Sequence, residues 1–223
     1  MKYKFLPQEG MKLIACVTML LDHVGATLWP SVWLRIIGRI SFPVFCFLLT
    51  EGMAHTRSPK KYLCRLACAA VLSEIPFDLL FFGRLTFQHQ NVMLTLLLGG
   101  AMLLLIQHSR RPLLTPIWLV LACALAHLLQ TDYGYEGILL TFLFSLTGSL
   151  PVRFIGILLL YFSSGFVAIL GLPIPMGLFA ALSLIPICLY SGKKLSFLKY
   201  SQIAFYLFYP AHMLLLLLIK ILP

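Results

Sequence analysis

The feature that most constrains this chain is its succession of apolar stretches, most of them long enough to cross a lipid bilayer. A crossing requires about 20 apolar residues, and only helices satisfy every backbone polar group of an open chain in lipid. The sequence therefore predicts an all-α fold, a polytopic integral membrane helix bundle that forms a single transmembrane domain over residues 1–223. About nine transmembrane helices are predicted, at 11–29, 32–55, 61–82, 92–107, 113–130, 135–149, 152–170, 173–190 and 200–221.

The composition indicates the same class of protein. Hydrophobic residues make up 61% of the 223 residues and charged residues only 11%, and the mean hydropathy is +0.96. A soluble domain of this length could not bury so much apolar surface. The net charge of +10 does not indicate nucleic acid as a partner, because the basic residues lie in short clusters between apolar stretches.

The distribution of these basic residues predicts the topology. Cytoplasmic loops of membrane proteins carry an excess of Lys and Arg. With a cytoplasmic N-terminus, 13 of the 17 basic residues fall on the inner side and four on the outer side. The inner ones are Lys2, Lys4, Lys12, Arg57, Lys60, Lys61, Arg65, Arg110, Arg111, Arg153, Lys193, Lys194 and Lys199, and the outer ones are Arg35, Arg39, Arg84 and Lys220.

Acidic residues within the apolar stretches indicate where a functional site lies. A carboxylate at bilayer depth is costly and is usually functional or paired. Most of these residues fall in the outer half of the predicted bundle, together with other polar residues. They are Asp22, Glu74, Asp78, Asp132 and Glu136, accompanied by Arg35, Arg39, His89, Gln90 and Asn91. A purely structural alternative is that Arg35 and Arg39 neutralise Glu74 and Asp78 between the second and third spans.

His23 is the candidate general base of this polar cluster. A neutral imidazole held in one tautomer by a carboxylate suits acid–base work near pH 7. Asp22 points about 100° away on the same helix, so Asp78, Glu74 or Asp132 is the expected orienting carboxylate. The alternative is a core histidine hydrogen-bonded between helices. His212 lies at mid-depth in the last span, beside Pro210. We expect no metal, because the histidines lack metal-binding spacing.

The spacing of Lys12 and His23 suggests a substrate. Eleven residues of helix separate them by about 16 Å, so Lys12 lies at the inner surface and His23 beyond the midplane. Arg57, Lys60 and Lys61 are predicted at the same inner surface, where cations suit phosphates. Coenzyme A carries phosphates at one end and a thioester at the other, and it fits this span. Lys12 is also ordinary for the inner end of a first span.

Several motifs in a fixed order make the chain resemble the TraX family of membrane proteins over nearly its whole length. The resemblance implies a membrane acetyltransferase related to proteins that acetylate the pilin N-terminus in conjugation, and a distant similarity to the acyltransferase 3 family. In that wider group a basic residue precedes a histidine by eleven positions, as Lys12 precedes His23. The motifs are "MKLIACVTMLLDHVG" (11–25), "LRIIGRISFPVFCFLLTEG" (34–52), "HTR" (55–57), "SEIPFD" (73–78), "HQNV" (89–92), "DYG" with Gly137, and "YLFYPAH" (206–212).

The resemblance also implies roles for individual residues. His23 becomes the general base, and Lys12 and Arg57 become contacts to the phosphates of acetyl-CoA. Other residues become catalytic or lining candidates, namely Asp22, Glu74, Asp78 and Asp132, with Arg39, His89, Asn91, Tyr209 and His212 near the substrate or oxyanion. The expected location is the bacterial cytoplasmic membrane. The expected partners are lipid, acetyl-CoA and an acceptor peptide or glycan, without nucleic acid; a lipid acceptor and oligomerisation are left open.

Two other functions remain open at this stage. Buried histidines and acidic residues also form relays in proton-coupled transporters and channels. A non-catalytic membrane component of a conjugation or secretion system is the third interpretation. Binding of acetyl-CoA separates the enzyme from both.

Overall fold

The structure, a computed structural model, describes residues 4–109, 111–146, 148–161, 165–169, 172–195 and 201–222. Helices make up 77% of it, so the helical fold is confirmed, with one pair of short antiparallel strands as the exception. The helices are α1 (Gln8–Thr27), α2 (Val32–Gly38), α3 (Ser41–His55), α4 (Pro59–Phe82), α5 (Val92–Ser109), α6 (Thr115–Leu128), α7 (Gly134–Leu146), α8 (Leu150–Leu160), α9 (Gly177–Ala180), α10 (Leu184–Leu189) and α11 (Ser201–Ile221). Short 3₁₀ turns, Pro112–Leu114 and Ala181–Ser183, precede α6 and α10.

The surface of the bundle suits lipid. Three described helical segments are long and apolar enough to cross a membrane: Val32–His55, Val92–Ser109 and Ile203–Ile221. Val71, Leu72 and Ile75 of α4 are exposed, as are large apolar residues of α11. Apolar surface of this extent marks a membrane-facing protein. The number of crossings, predicted as nine, stays a prediction, because several other apolar helices are shorter than a full span.

The second predicted span is interrupted at its outer end. Helix α2 ends at Gly38 and α3 begins at Ser41, so residues 32–55 form two helices and not one. Pro43 lacks the N–H that would bond to the Arg39 carbonyl, which accounts for the break. Helix α3 then runs through the centre of the bundle, and every residue from Ser41 to Thr50 is buried.

The seventh predicted span, 152–170, is wrong in its second half. Helix α8 ends at Leu160, and Phe166–Ile169 pairs antiparallel with Leu172–Pro175 as β1 and β2. Gly165 adopts a φ of +96°, and the prolines at 173 and 175 disfavour helix, so the eighth span also starts later than predicted. Residues 162–164 and 170 of the predicted span lie outside the described residues.

The polar segments gather at the two ends of the bundle. At one end the chain before α1 bonds to the end of α10, through Phe5 N and Leu6 N to the Leu189 carbonyl at 3.0 and 2.9 Å. At the other end Asp132 N donates to the Gln90 carbonyl at 2.9 Å, which joins the α4–α5 and α6–α7 loops as the sequence predicts. Which end faces the cytoplasm stays a prediction. Lys2, Arg110 and Lys199 of the inner set lie outside the described residues.

Candidate functional site

A pair of histidines lies where α1 meets α11. His23 Nδ1 is 2.8 Å from His212 Nε2, and the two ring planes are nearly parallel, at 20°, with centroids 4.9 Å apart, so the rings meet edge to edge. His212 Nδ1 is in turn 2.8 Å from the Phe208 carbonyl oxygen. The edges of Phe81 and Tyr209 contact the His23 ring at centroid distances of 5.2 and 6.2 Å. The orienting partner of His23 is therefore a histidine and not the carboxylate that we predicted.

Asp22 is held by two arginines beside this pair. Arg35 Nη1 donates to Asp22 Oδ2 at 2.7 Å, and Arg39 Nη2 donates to Asp22 Oδ1 at 3.4 Å. Gly38 makes room for the carboxylate, because a Cβ at this position would overlap Asp22. The alternative in which these arginines neutralise Glu74 and Asp78 is wrong, since both face Asp22. Asp22 thus fixes the end of α1 to the α2–α3 break.

His23, Asp22 and both arginines line a cavity of about 440 Å³, called here the outer cavity. One wall is aromatic and comes from α4, with Phe77, Phe81 and Phe82. The other wall is polar and includes Asp132, Tyr133, Glu136 and Tyr161. The sequence analysis singled out the two carboxylates but neither tyrosine. The cavity can therefore hold a polar group beside His23 with an apolar group against α4.

Asp132 lies in the turn before α7. Asp132 is exposed and lines the outer cavity, where neighbouring residues partly desolvate its carboxyl. The resulting desolvation raises the pKa of Asp132 to about 6, and the charge of Arg39 opposes the rise. Of the carboxylates proposed as partners of His23, it is the one that lines the outer cavity with it.

Glu74, Asp78 and Asn91 stabilise the α4–α5 connection. Asn91 Nδ2 donates to Glu74 and, at 2.9 Å, to the Ala70 carbonyl, while Asn91 Oδ1 accepts from Met93 N at 3.0 Å and caps α5. Asp78 Oδ2 accepts from Thr86 N at 2.7 Å. None of the three belongs to the described lining of the outer cavity. Their bonds stabilise the connection between α4 and α5, and the catalytic or substrate contacts expected of them from sequence stay predictions.

His89 and Tyr209 occupy different surroundings. The His89 ring stacks on Phe82, with centroids 5.6 Å apart, and lines a neighbouring cavity of about 320 Å³ with His127 and Asp132. Tyr209 is 1% exposed and packs beneath the histidine pair. His89 therefore lines a different cavity from His23, whereas Tyr209 contacts the His23 ring from the core side.

A second large cavity lies at the opposite end of α1. This inner cavity, of about 350 Å³, is lined by the cations Lys12, Arg65 and Lys194 and by the carboxylate of Glu51. Lys12 Nζ lies 5.3 Å from the centroid of the Phe205 ring, and Arg65 lies over Tyr62 at 5.6 Å. Sequence reasoning placed Arg65 and Lys194 at the inner side only as topology signals. Because Lys12, Arg65 and Lys194 lie on separate segments, their meeting in one cavity was not predictable from the sequence.

Arg57 and His55 lie near the inner cavity as well, but their surroundings differ from those of Lys12. Arg57 is exposed and is not among the described residues that line the inner cavity with Lys12, so its expected contact with the cofactor phosphates stays a prediction. His55 lines the cavity and remains close to its neighbour on α3, with its Nδ1 3.9 Å from Glu51 Oε2.

Small cavities lie between the two large ones. One of about 20 Å³ shares Leu48, Tyr62, Phe205 and Tyr206 with the inner cavity, and its lining is almost wholly apolar. Another, of about 40 Å³, shares Asp22, His23, Asp132 and Tyr133 with the outer cavity. Phe45 lines both small cavities. The loosely filled space thus follows α1 from Lys12 toward His23.

The fold and these cavities define a helical membrane protein with a cationic cavity at one end and a histidine site at the other. The family model described as TraX protein matches residues 8–220. The chain belongs to the TraX family, as its motifs predict.

Two relatives extend this result. A probable fimbrial assembly protein FimC of serogroup H1 from Dichelobacter nodosus is 32% identical over 92% of each chain. An uncharacterized protein from Rickettsia prowazekii (strain Madrid E) is 36% identical over 41% of this chain and 34% of its own. No solved structure matches the chain.

Proposed function

We propose that this chain is a membrane acetyltransferase that takes the acetyl group of acetyl-CoA and transfers it to an amine or hydroxyl. The single observation that carries the proposal is the arrangement along α1. One continuous helix bears Lys12 in a cationic cavity and, about 16 Å further on, His23 in a second cavity.

The donor set of the inner cavity fits the phosphates of coenzyme A. Phosphate oxygens accept hydrogen bonds from ammonium and guanidinium groups, and Lys12, Arg65 and Lys194 supply both kinds of donor. The small apolar cavities around Phe45 suit the thin arm that joins the phosphates to the thioester. Together they support entry of the donor at the inner cavity.

His23 acts as the general base in the proposed reaction. Its ring removes the proton from the acceptor amine or hydroxyl, and the acceptor attacks the acetyl carbonyl carbon. Arg39 is suited to stabilise the oxyanion, because its buried Nε has no hydrogen-bond partner among the described residues while Nη2 binds Asp22. The carbon–sulfur bond then breaks, and coenzyme A leaves as a thiol after taking up a proton.

The acceptor, orientation and location follow from the same proposal. The fimbrial relative favours a pilin-type peptide with a free N-terminal amine as acceptor, ahead of a sugar or lipid. The excess of cations at the Lys12 end favours a cytoplasmic N-terminus in a multi-pass protein of the bacterial cytoplasmic membrane. Acetyl-CoA then enters from the cytoplasm, and the acceptor meets it in the outer half.

The test uses purified protein in lipid nanodiscs with acetyl-CoA and a short peptide that has a free N-terminal amine. We expect the wild type to bind acetyl-CoA and release its thiol. His23→Gln should lower the rate by about a hundred- to ten-thousand-fold with unchanged binding, since loss of a general base has that effect. His108→Gln, at an exposed position, is the matched control and should behave as wild type. Near-normal turnover of His23→Gln, or absence of binding by the wild type, contradicts the proposal.

A further inference from the structure

The histidine pair suggests how the base is prepared. We infer that His212 is a positioning residue that holds the proton of His23 on Nδ1 and leaves Nε2 free to accept the proton of the acceptor. The base role rests on the proposed function, whereas the position of the proton does not. The inference derives from two contacts, His23 Nδ1 to His212 Nε2 and His212 Nδ1 to the Phe208 carbonyl, both 2.8 Å.

The hydrogen bonds determine where the protons lie. A carbonyl oxygen only accepts, so His212 Nδ1 carries a proton and donates it to Phe208. A neutral imidazole carries one N–H, so His212 Nε2 is an acceptor. His23 Nδ1, 2.8 Å away, must then be the donor. A neutral His23 is thereby left with an unprotonated Nε2.

The surrounding side chains hold His212 in place. The residue is 5% exposed, and the Phe208 ring stacks on its imidazole with centroids 4.9 Å apart. Tyr209 contacts the same ring at 5.7 Å. Because the acceptor of the Nδ1 proton is a backbone carbonyl one helical turn away, His212 cannot exchange its donor and acceptor nitrogens without losing that bond. The tautomer of His23 is therefore set by the backbone of α11.

This arrangement differs from a catalytic triad in the charge of the orienting group. In a triad a carboxylate both orients the histidine and stabilises the imidazolium that forms. A neutral His212 orients His23 and contributes no negative charge. The carboxylate nearest in sequence, Asp22, is already bound by Arg35 and Arg39. The imidazolium formed at His23 keeps its bond to His212 Nε2, so proton uptake requires no rearrangement of the pair.

The experiment measures tautomers directly and then follows activity. In full-length protein labelled with ¹⁵N in the histidine rings, protonated and bare ring nitrogens give distinct NMR signals, and His23→Gln assigns those of His23. We expect wild-type His23 to be protonated at Nδ1 and bare at Nε2 when neutral. His212→Gln retains an acceptor oxygen near the position of Nε2, and His212→Leu removes it. We expect the glutamine variant to keep the His23 tautomer, and the leucine variant to populate both.

Activity provides the second readout. His212→Leu should lower kcat about a hundredfold with little change in KM for acetyl-CoA, and His212→Gln should stay within about tenfold of wild type. A proton on Nε2 of neutral wild-type His23 overturns the inference whether or not acetyl is transferred, and this measurement decides even where the leucine variant does not fold. Equal loss of kcat in both variants with an unchanged His23 tautomer also overturns it. If His23 shows the expected tautomer but the protein does not transfer acetyl, the result contradicts only the proposed function.

Discussion

The inner and outer cavities hold their charges in different ways. In the inner cavity Lys12 and Arg65 face the aromatic rings of Phe205 and Tyr62, and within the described part of the chain neither cation forms an ion pair that an incoming anion would have to break. In the outer cavity both Arg35 and Arg39 are bound to Asp22. The first arrangement suits binding of an anion, and the second suits a rigid site. Similar basic residues at the two ends of α1 therefore serve different purposes.

The largest effect in this comparison is expected at the outer ion pairs. Asp22→Asn leaves Arg35 and Arg39 without their counter-charge in a mostly buried position. Removal of one partner of such a pair should lower the free energy of unfolding by about 2–4 kcal/mol. Thermal unfolding in detergent measures it, with Glu9→Gln at the other end of α1 as the control. If Asp22→Asn has the same free energy of unfolding as Glu9→Gln, then the ion pairs of Asp22 with Arg35 and Arg39 do not stabilise the protein, and the contrast with the inner cavity fails.

A smaller effect is expected when a cation is removed from the inner cavity. Lys12→Gln should weaken acetyl-CoA binding about ten- to a hundredfold, because a charge-assisted hydrogen bond contributes about 1.5–3 kcal/mol. Stability should change little, since the Lys12 ammonium contacts a ring and not a buried carboxylate. Isothermal titration calorimetry in nanodiscs measures the affinity. Lys61→Gln, an exposed cation near the same end, is the matched control. Equal affinities for both variants would reduce the inner cations to topology signals.

The smallest effect is expected at Arg57. Sequence reasoning paired it with Lys12, but the residue is exposed beside the inner cavity and does not line it. Arg57→Gln should therefore change acetyl-CoA affinity less than about twofold, since an exposed charge is screened by solvent and salt. Arg65→Gln, which alters a lining residue, should weaken binding more. The same titration compares them, and a larger loss at Arg57 would mean that the phosphates lie outside the cavity.

The sequence predicts those parts of the site that lie on one element. Lys12 and His23 share one long apolar helix, so their separation follows from the helical rise. The contacts of Asp22 were not predictable in this way. Arg35 and Arg39 reach it because the chain turns after α1 and breaks again before Pro43. We predicted one continuous helix for the second span, and such a helix would direct the same arginines toward other carboxylates.

The histidine pair marks the limit of sequence reasoning. His212 was recognisable as a costly polar residue in an apolar stretch, but its partner is 189 positions away on α1. Only the packing of α11 against α1 decides that pairing. The paired strands Phe166–Ile169 and Leu172–Pro175 were missed for a related reason, because an apolar run of this length does not distinguish helix from strand.

In the proposed reaction, a donor held at the inner cavity presents its acyl group to His23. Bromoacetyl-CoA tests it directly, because an imidazole nitrogen displaces bromide and forms a stable adduct that peptide mass spectrometry locates. The experiment uses full-length protein with Cys64→Ser and Cys68→Ser, which removes the exposed thiols. We expect an adduct on His23 that excess coenzyme A suppresses, that Lys12→Gln diminishes and that bromoacetamide does not reproduce. Adducts confined to residues of the inner cavity, with His23 unmodified, would contradict it.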